Sequence, residues 1–161
     1  MTRAPPPLPT RLLTAAMSPQ HKLAEDILQT RAALTELLIR TASPAAAPEV
    51  WADAKALAAA FQAAVRQGDL GAITSAESAF RWRVLQMGHN DLALDLLRIG
   101  QECLARICGG SPLIRDAARR GLDIERLMAA LECGDSETAV QAAMAHIEMD
   151  RRDFLAMTGG Q

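Results

Sequence analysis

Long runs of strong helix formers, interrupted at short intervals by proline and glycine, are the feature of this sequence that most restricts its fold. Alanine, leucine, arginine, glutamate and glutamine dominate these runs, aromatic residues make up only 3% of the chain, and tyrosine is absent. Such residues have high helix propensity and low strand propensity. Half of the residues are hydrophobic, which is enough for a chain of this length to bury a core. The sequence therefore predicts an all-α fold.

Capping and breaking signals divide the chain into about six helices. Ser18 followed by Pro19 is typical of a helix start, and it predicts a first helix that ends near Arg40. Further breaks fall near residues 41–48, 68–69, 88–90, 109–112 and 134–135. We expect Asp91 to cap the fourth helix and Ser111 to cap the fifth. Because the turns are short, the helices should form an antiparallel helical bundle.

Two of the predicted helices depart from the usual pattern of one apolar and one polar face. Residues 92–108 are apolar on more than one face, so the fourth helix is expected to be central in the bundle. On the first helix, Arg31 lies four residues after Ile27 and three before Leu34. This spacing directs a charged group toward the core side of the helix.

Charge and composition exclude several classes of function. A formal net charge of -2 offers no basic face for a phosphate backbone, so nucleic-acid binding by this chain alone is not expected. No apolar run is long enough to span a membrane, and the first ten residues contain too much proline for a signal peptide. Prolines also predict a disordered tail over residues 1–17, ahead of a helical domain over residues 18–158.

The three cysteines help to indicate a compartment. Cys103, Cys108 and Cys133 are odd in number and lack the paired short spacing of a zinc site or a redox motif. We expect them to be reduced and buried, as small hydrophobic residues of a cytoplasmic protein.

Two segments carry a resemblance to a known family. Residues 77–94, ESAFRWRVLQMGHNDLAL, place an acidic residue before a Gly-His-Asn turn and an apolar helix, and residues 124–135, IERLMAALECGD, precede an alanine-rich helix that reaches His146. In spacing and order they resemble the C-terminal domain of FadR-type regulators, the FCD family. The resemblance spans roughly residues 22–157. It implies a helical bundle that binds the small-molecule effector of a GntR/FadR-type transcription regulator, here without the winged-helix DNA-binding domain.

The resemblance also implies positions for a metal site. Many members of the family hold a divalent metal with one aspartate and three histidines, and the corresponding positions here are Glu77, Arg81, Ile124 and His146. Arginine stays protonated and isoleucine has no donor atom, so two ligands remain where three or four are required. No metal and no other cofactor is expected.

Arg81 suggests a substitute for the metal, because a guanidinium binds a carboxylate through two parallel hydrogen bonds. The expected partner is a small-molecule carboxylate or other anion, bound by Arg31, Glu77, Arg81, Asn90 and His146, with no residue assigned a catalytic role. Four of these five residues have a simpler structural alternative. The Glu77–Arg81 pair has the spacing of a surface salt bridge, Asn90 suits a helix cap, and His146 could be an ordinary half-buried histidine.

Two further interpretations of function stay open. A bundle of this kind could have been recruited as an enzyme acting on a small anionic substrate, with His146 as acid or base, although no nucleophile with a base and an orienting group is visible. It could also pair with a full-length homologue as an accessory protein. Trp82 should face away from the apolar stripe, where it could cover either a homodimer surface or a neighbouring helix.

Overall fold

The computed structural model describes residues 18–110 and 114–158, and these residues form six α-helices. The helices are α1 (Pro19–Thr41), α2 (Pro48–Gln67), α3 (Leu70–Gln86), α4 (Asp91–Ile107), α5 (Ala117–Glu132) and α6 (Ser136–Thr158). The predicted all-α class and the number of helices are confirmed. Within the described ranges no helix has the length and apolarity needed to cross a membrane. The predicted tail over residues 1–17 lies outside the described residues. The prediction that Ser111 caps the fifth helix was wrong, because α5 begins at Ala117 and the side chain of Asp116 caps it.

Side-chain caps determine where most of the helices begin. In five of them the N-cap side chain accepts a hydrogen bond of 2.9–3.2 Å from the backbone N–H three residues later, and these N-caps are Ser18, Asp69, Asn90, Asp116 and Asp135. Such bonds satisfy donors that the first turn of a helix leaves open. The prediction that Asp91 caps α4 was wrong by one residue, because the extended backbone of Asn90 lets its amide oxygen reach the N–H of Ala93.

The core lies between α1, α2, α3, α5 and α6. α1 packs against α3, α4 and α6, α2 packs against α3 and α5, and α5 packs against α6. Turns of two or three residues join α2 to α3 and α5 to α6, as in antiparallel helical hairpins. Fully or almost fully buried members of this core include Leu38, Phe61, Phe80, Val84, Ile124 and Ala139.

The prediction that α4 is central was wrong. α4 packs chiefly against α1 and lies at the edge of the bundle. One of its apolar faces is buried through Ala93, Leu97 and Leu104. The other is exposed, and Leu92 keeps 71% of its surface open to solvent. A helix with two apolar faces can bury one of them and leave the other free, and its sequence alone does not tell these cases apart.

The cysteines are free, but the prediction that they are buried was also wrong. Cys133 is exposed because it forms the C-cap of α5, where the chain turns at the surface. Cys103 and Cys108 are only half-buried because they belong to the end of α4 at the edge of the bundle.

Candidate functional site

Seven polar side chains meet inside the bundle where α1, α3, α5 and α6 approach each other. Six of them are buried and Arg81 is one-fifth exposed at its side chain. We call them the buried ionic cluster: Arg31, Glu77, Arg81, Arg120, His146, Asp150 and Asp153. The three guanidinium groups and the three carboxylates of the cluster balance each other in charge. Such a balance is what makes burial of ionised groups tolerable.

Asp150 on α6 joins the three arginines. Its Oδ2 lies 2.6 Å from Nη1 of Arg31 and 3.6 Å from Nη1 of Arg81, and its Oδ1 lies 2.7 Å from Nη1 of Arg120. Burial raises the pKa of Asp150, but the three guanidinium groups outweigh burial and hold that pKa below its ordinary value. Asp150 is therefore ionised at neutral pH and connects α6 to α1, α3 and α5.

Arg120 on α5 lies at the middle of the cluster and is completely buried. Its Nη1 lies 3.1 Å from Nε2 of His146 and 3.6 Å from Oε1 of Glu77, and its Nη2 donates to Oδ2 of Asp153 at 3.0 Å. Burial lowers the pKa of Arg120, but Asp150 and Glu77 outweigh burial and the pKa is raised. The folded state thus favours the charged form of this guanidinium.

Glu77 on α3 links Arg81 to His146. Its Oε1 accepts a hydrogen bond from Nη1 of Arg81 at 3.1 Å, and the same oxygen contacts Nε2 of His146. Burial raises the pKa of Glu77, but Arg81 and His146 outweigh burial, and the pKa lies well below its ordinary value. An ionised carboxylate only accepts hydrogen bonds. Glu77 therefore joins α3 to α6 within the cluster.

A cleft between α1, α3 and α4 opens beside the cluster. Its volume is about 290 Å³, and its polar wall includes Arg31, Thr35, Ser78, Arg81 and Gln101. A second cavity of about 180 Å³ shares four of these residues. Within the described residues, Nη2 of Arg31 and Oγ1 of Thr35 are buried without a hydrogen-bond partner. A buried unpaired group of this kind costs about 1–3 kcal/mol, so a polar partner for either atom would stabilise the folded protein.

Arg31 is less well compensated than Arg120. Burial and the neighbouring positive charge of Arg81 lower the pKa of Arg31, and Asp150 offsets these effects only in part. The lowered pKa of Arg31 thus comes first from burial and second from Arg81.

Four of the five residues singled out from the sequence belong to the cluster. Arg31, Glu77, Arg81 and His146 lie there, and the Glu77–Arg81 pair is buried instead of forming a solvated surface pair. Asn90 lies at the start of α4, where its side chain caps the helix.

Sequence reasoning missed Arg120, Asp150 and Asp153. Arg120 precedes Ile124 by four residues on α5, and Asp150 follows His146 by four residues on α6. Residues four apart share a helix face. This spacing was the signal in the sequence that could have found both residues, because each lies one turn from a position that the family resemblance had already indicated.

The positions that correspond to metal ligands do not fit a metal ion. Glu77 and His146 keep donor atoms, whereas Arg81 brings a positive charge and Ile124 lies in an apolar cavity of about 30 Å³. In residues 18–110 and 114–158, no group of three or more histidine, cysteine, aspartate or glutamate side chains is placed to hold a metal. The donor atoms that remain are fewer than metal sites in proteins use.

Comparison with known proteins gave one family match. The family model described as the FCD domain matches residues 26–149. A search of curated proteins found no match. The matched range includes five members of the buried ionic cluster and ends just before Asp150 and Asp153.

Proposed function

The chain belongs to the FCD domain family, and from this premise we propose that it binds a small organic anion in the cleft between α1, α3 and α4. An FCD domain is in general the effector-binding domain of GntR-family regulators. The proposal assigns effector binding to residues 18–158 and places the domain in the cytoplasm, which is typical of regulators of this family. The observation that carries it is Arg31, which lines the cleft and whose Nη2 is a buried donor without a hydrogen-bond partner.

Two arginines supply the affinity for an anion. Nη1 of Arg31 is already bound to Asp150, which leaves Nη2 for a ligand, and Arg81 is partly open. A carboxylate at this wall would accept charge-assisted hydrogen bonds, which are stronger than neutral ones. The inner side of the cluster is filled by the protein's own carboxylates. The ligand therefore approaches from the cleft, and it does not enter the centre of the bundle.

The size and polarity of the cleft limit the ligand. A volume of about 290 Å³ lies at the lower end of the range for ligand sites. Thr35, Ser78 and Gln101 offer hydroxyl and amide groups that would orient a second polar group on the ligand. We therefore propose a short carboxylic acid with an additional polar substituent.

Replacement of Arg31 by lysine is expected to weaken binding of such an acid by roughly 10- to 100-fold, the effect of losing one charge-assisted hydrogen bond. Lysine keeps the positive charge beside Asp150 and removes the spare Nη2 donor. Isothermal titration of the EDTA-treated protein against mono-, di- and tricarboxylic acids of two to six carbons measures this. Arg40→Lys is the matched control on the same helix, because Arg40 is exposed and pairs with Glu36 and Glu137. The absence of saturable binding across the panel, or equal affinities of the Arg31→Lys protein and the wild type, would contradict the proposal.

We also propose that the exposed face of α4 is a homodimer interface. Leu92, Leu96 and Ile99 are exposed at helical spacing on this face, and Leu23 of α1 is exposed on the adjoining surface. A groove of about 310 Å³ runs between the two helices beside these residues. Contiguous exposed apolar residues of this kind usually mark an interaction surface.

The charges of α4 favour a second copy of this chain as the occupant. Its first half carries Asp91 and Asp95, whereas its second half carries Arg98, Glu102 and Arg106, a surplus of one positive charge. When two copies of α4 pair antiparallel about a two-fold axis, the acidic half of each meets the basic half of the other.

Leu96→Glu is expected to convert a dimer into a monomer, because it buries a carboxylate at the centre of the proposed interface. Size-exclusion chromatography with light scattering, over a range of protein concentrations, measures the mass. Leu155→Glu is the control, since Leu155 is an exposed leucine of α6 outside the face. A monomeric wild-type protein, or a Leu96→Glu protein that stays dimeric, would exclude this interface.

A further inference from the structure

We propose that the guanidinium of Arg120 occupies the place of the divalent cation in this bundle, so that Arg120 and Arg81 together do the electrostatic work of a metal ion. The starting point is the contacts of Arg120. Its Nη1 lies 3.1 Å from Nε2 of His146 and 3.6 Å from Oε1 of Glu77, the two positions that keep metal-ligand chemistry. These two donor atoms also contact each other directly, so the guanidinium of Arg120 lies against both of them.

The origin of Arg120 on α5 explains how it reaches this place. Ile124, at the position of a family ligand, lies one helical turn after Arg120 on the same face of α5. The Ile124 side chain is buried and lines a mostly apolar cavity beside Arg81 and His146, and it offers no group that could bind an ion. The longer arginine side chain enters the centre from the preceding turn, and it is completely buried there.

The charge balance supports the same replacement. A divalent ion brings two positive charges, and the two arginines Arg81 and Arg120 bring two as well. Arg81 occupies one of the four positions that correspond to metal ligands of the family, and Arg120 occupies none of them. Together with Arg31 they bring three positive charges, which balance the carboxylates of Glu77, Asp150 and Asp153. Four of the contacts between these guanidinium groups and carboxylates measure 3.1 Å or less.

A guanidinium also differs from a metal ion in whether it leaves a position free for a further ligand. A metal ion in such a site keeps a coordination position for an exogenous ligand, whereas the guanidinium of Arg120 is held by contacts with Glu77, His146, Asp150 and Asp153, which are buried. The replacement therefore closes the centre of the bundle and leaves the cleft at Arg31 as the accessible polar surface. This inference does not rest on the identity of any cleft ligand, so the carboxylic-acid titrations can fail without affecting it.

The test restores the metal ligands with and without Arg120. The triple variant Arg81→His, Ile124→His, Arg120→Met has one carboxylate and three imidazoles at the four positions, and the double variant Arg81→His, Ile124→His keeps Arg120. Both are treated with EDTA and then titrated with Ni²⁺, because imidazole suits this metal. Thermal unfolding followed by circular dichroism and isothermal titration give the readouts, with the wild type as the reference for adventitious binding.

Ni²⁺ at 100–1,000 times its dissociation constant is expected to raise the melting temperature of the triple variant by roughly 5–15 °C. The double variant should respond no more than the wild type, because Arg120 occupies the centre and repels the cation. If the triple variant is unfolded without metal, recovery of its helical signal on addition of Ni²⁺ supports the proposal equally. A triple variant that Ni²⁺ neither stabilises nor folds overturns it, and so does a double variant that binds Ni²⁺ as tightly as the triple variant.

Discussion

Replacing Arg120 by methionine is expected to lower the free energy of unfolding by about 3–5 kcal/mol, the usual cost of breaking a buried ion pair by removal of one partner. Methionine fills much of the space of the unbranched arginine stem, so the main loss is the charge. Asp150 and Asp153 then lose contacts of 2.7 and 3.0 Å with a cation and stay in the interior. Urea denaturation at neutral pH followed by circular dichroism measures the difference.

Arg119→Met is the matched control for this measurement. Arg119 is the adjacent arginine of α5, and 61% of its side chain is exposed. A surface substitution of this kind usually changes stability by less than about 0.5 kcal/mol. Equal losses of unfolding free energy in the Arg120→Met and Arg119→Met proteins would mean that the interior position of Arg120 contributes nothing to stability. The role assigned to the buried ionic cluster would then be wrong.

Acid is expected to destabilise the protein steeply below pH 4.5. The folded-state pKa values of Glu77 and Asp150 lie below their ordinary values of 4.5 and 3.8. Because both are lowered, the stability that these carboxylates contribute is complete above the unfolded-state pKa values and is lost as the pH falls toward the folded-state values. Each can contribute a slope of up to about 1.4 kcal/mol per pH unit in that window. Unfolding free energies measured in urea between pH 7 and pH 2.5 give the slope.

A charge-neutral variant separates this effect from general acid sensitivity. The double variant Glu77→Gln, Asp150→Asn keeps the shapes of the two side chains, so it should be less stable than the wild type at pH 7 and show a shallower loss below pH 4.5. Glu148→Gln changes an exposed carboxylate of α6 and should leave the wild-type slope intact. If the double variant and the wild type lose stability in parallel, the two buried carboxylates are not the groups that titrate.

Local signals in the sequence predicted the helices but not the arrangement of α4. Ser18 with Pro19, and the turn at Gly68, act within a few residues, so α1 and the α2–α3 turn follow from the sequence. Arg31 could be placed inward because helical spacing relates it to residues of the same helix. Which apolar face of α4 is buried depends on contacts with α1, and no residue of α4 encodes that choice by itself.

The centre of the site depended on contacts between helices and was harder to predict. Arg119 and Arg120 are chemically identical neighbours, and only the position of Ile124 one turn later distinguishes the inward one. Asp150 pairs with arginines of α1, α3 and α5, and such pairing arises only when α6 packs between them. The sequence hypothesis placed an anionic guest at this centre. The structure fills the centre with the protein's own carboxylates, and the unpaired donor of Arg31 lies beside the cleft.

Side-chain NMR of the arginine guanidinium groups in EDTA-treated protein tests the central claim most directly, since it observes Arg31 and Arg120 separately during titration with the carboxylic acids. Resolved, slowly exchanging Arg120 signals are expected without any added metal. A binding acid should shift the signals of Arg31 and leave those of Arg120 nearly unchanged. An acid that binds while the Arg31 signals stay in place, or Arg120 signals that exchange as fast as those of a solvated arginine, would contradict the account.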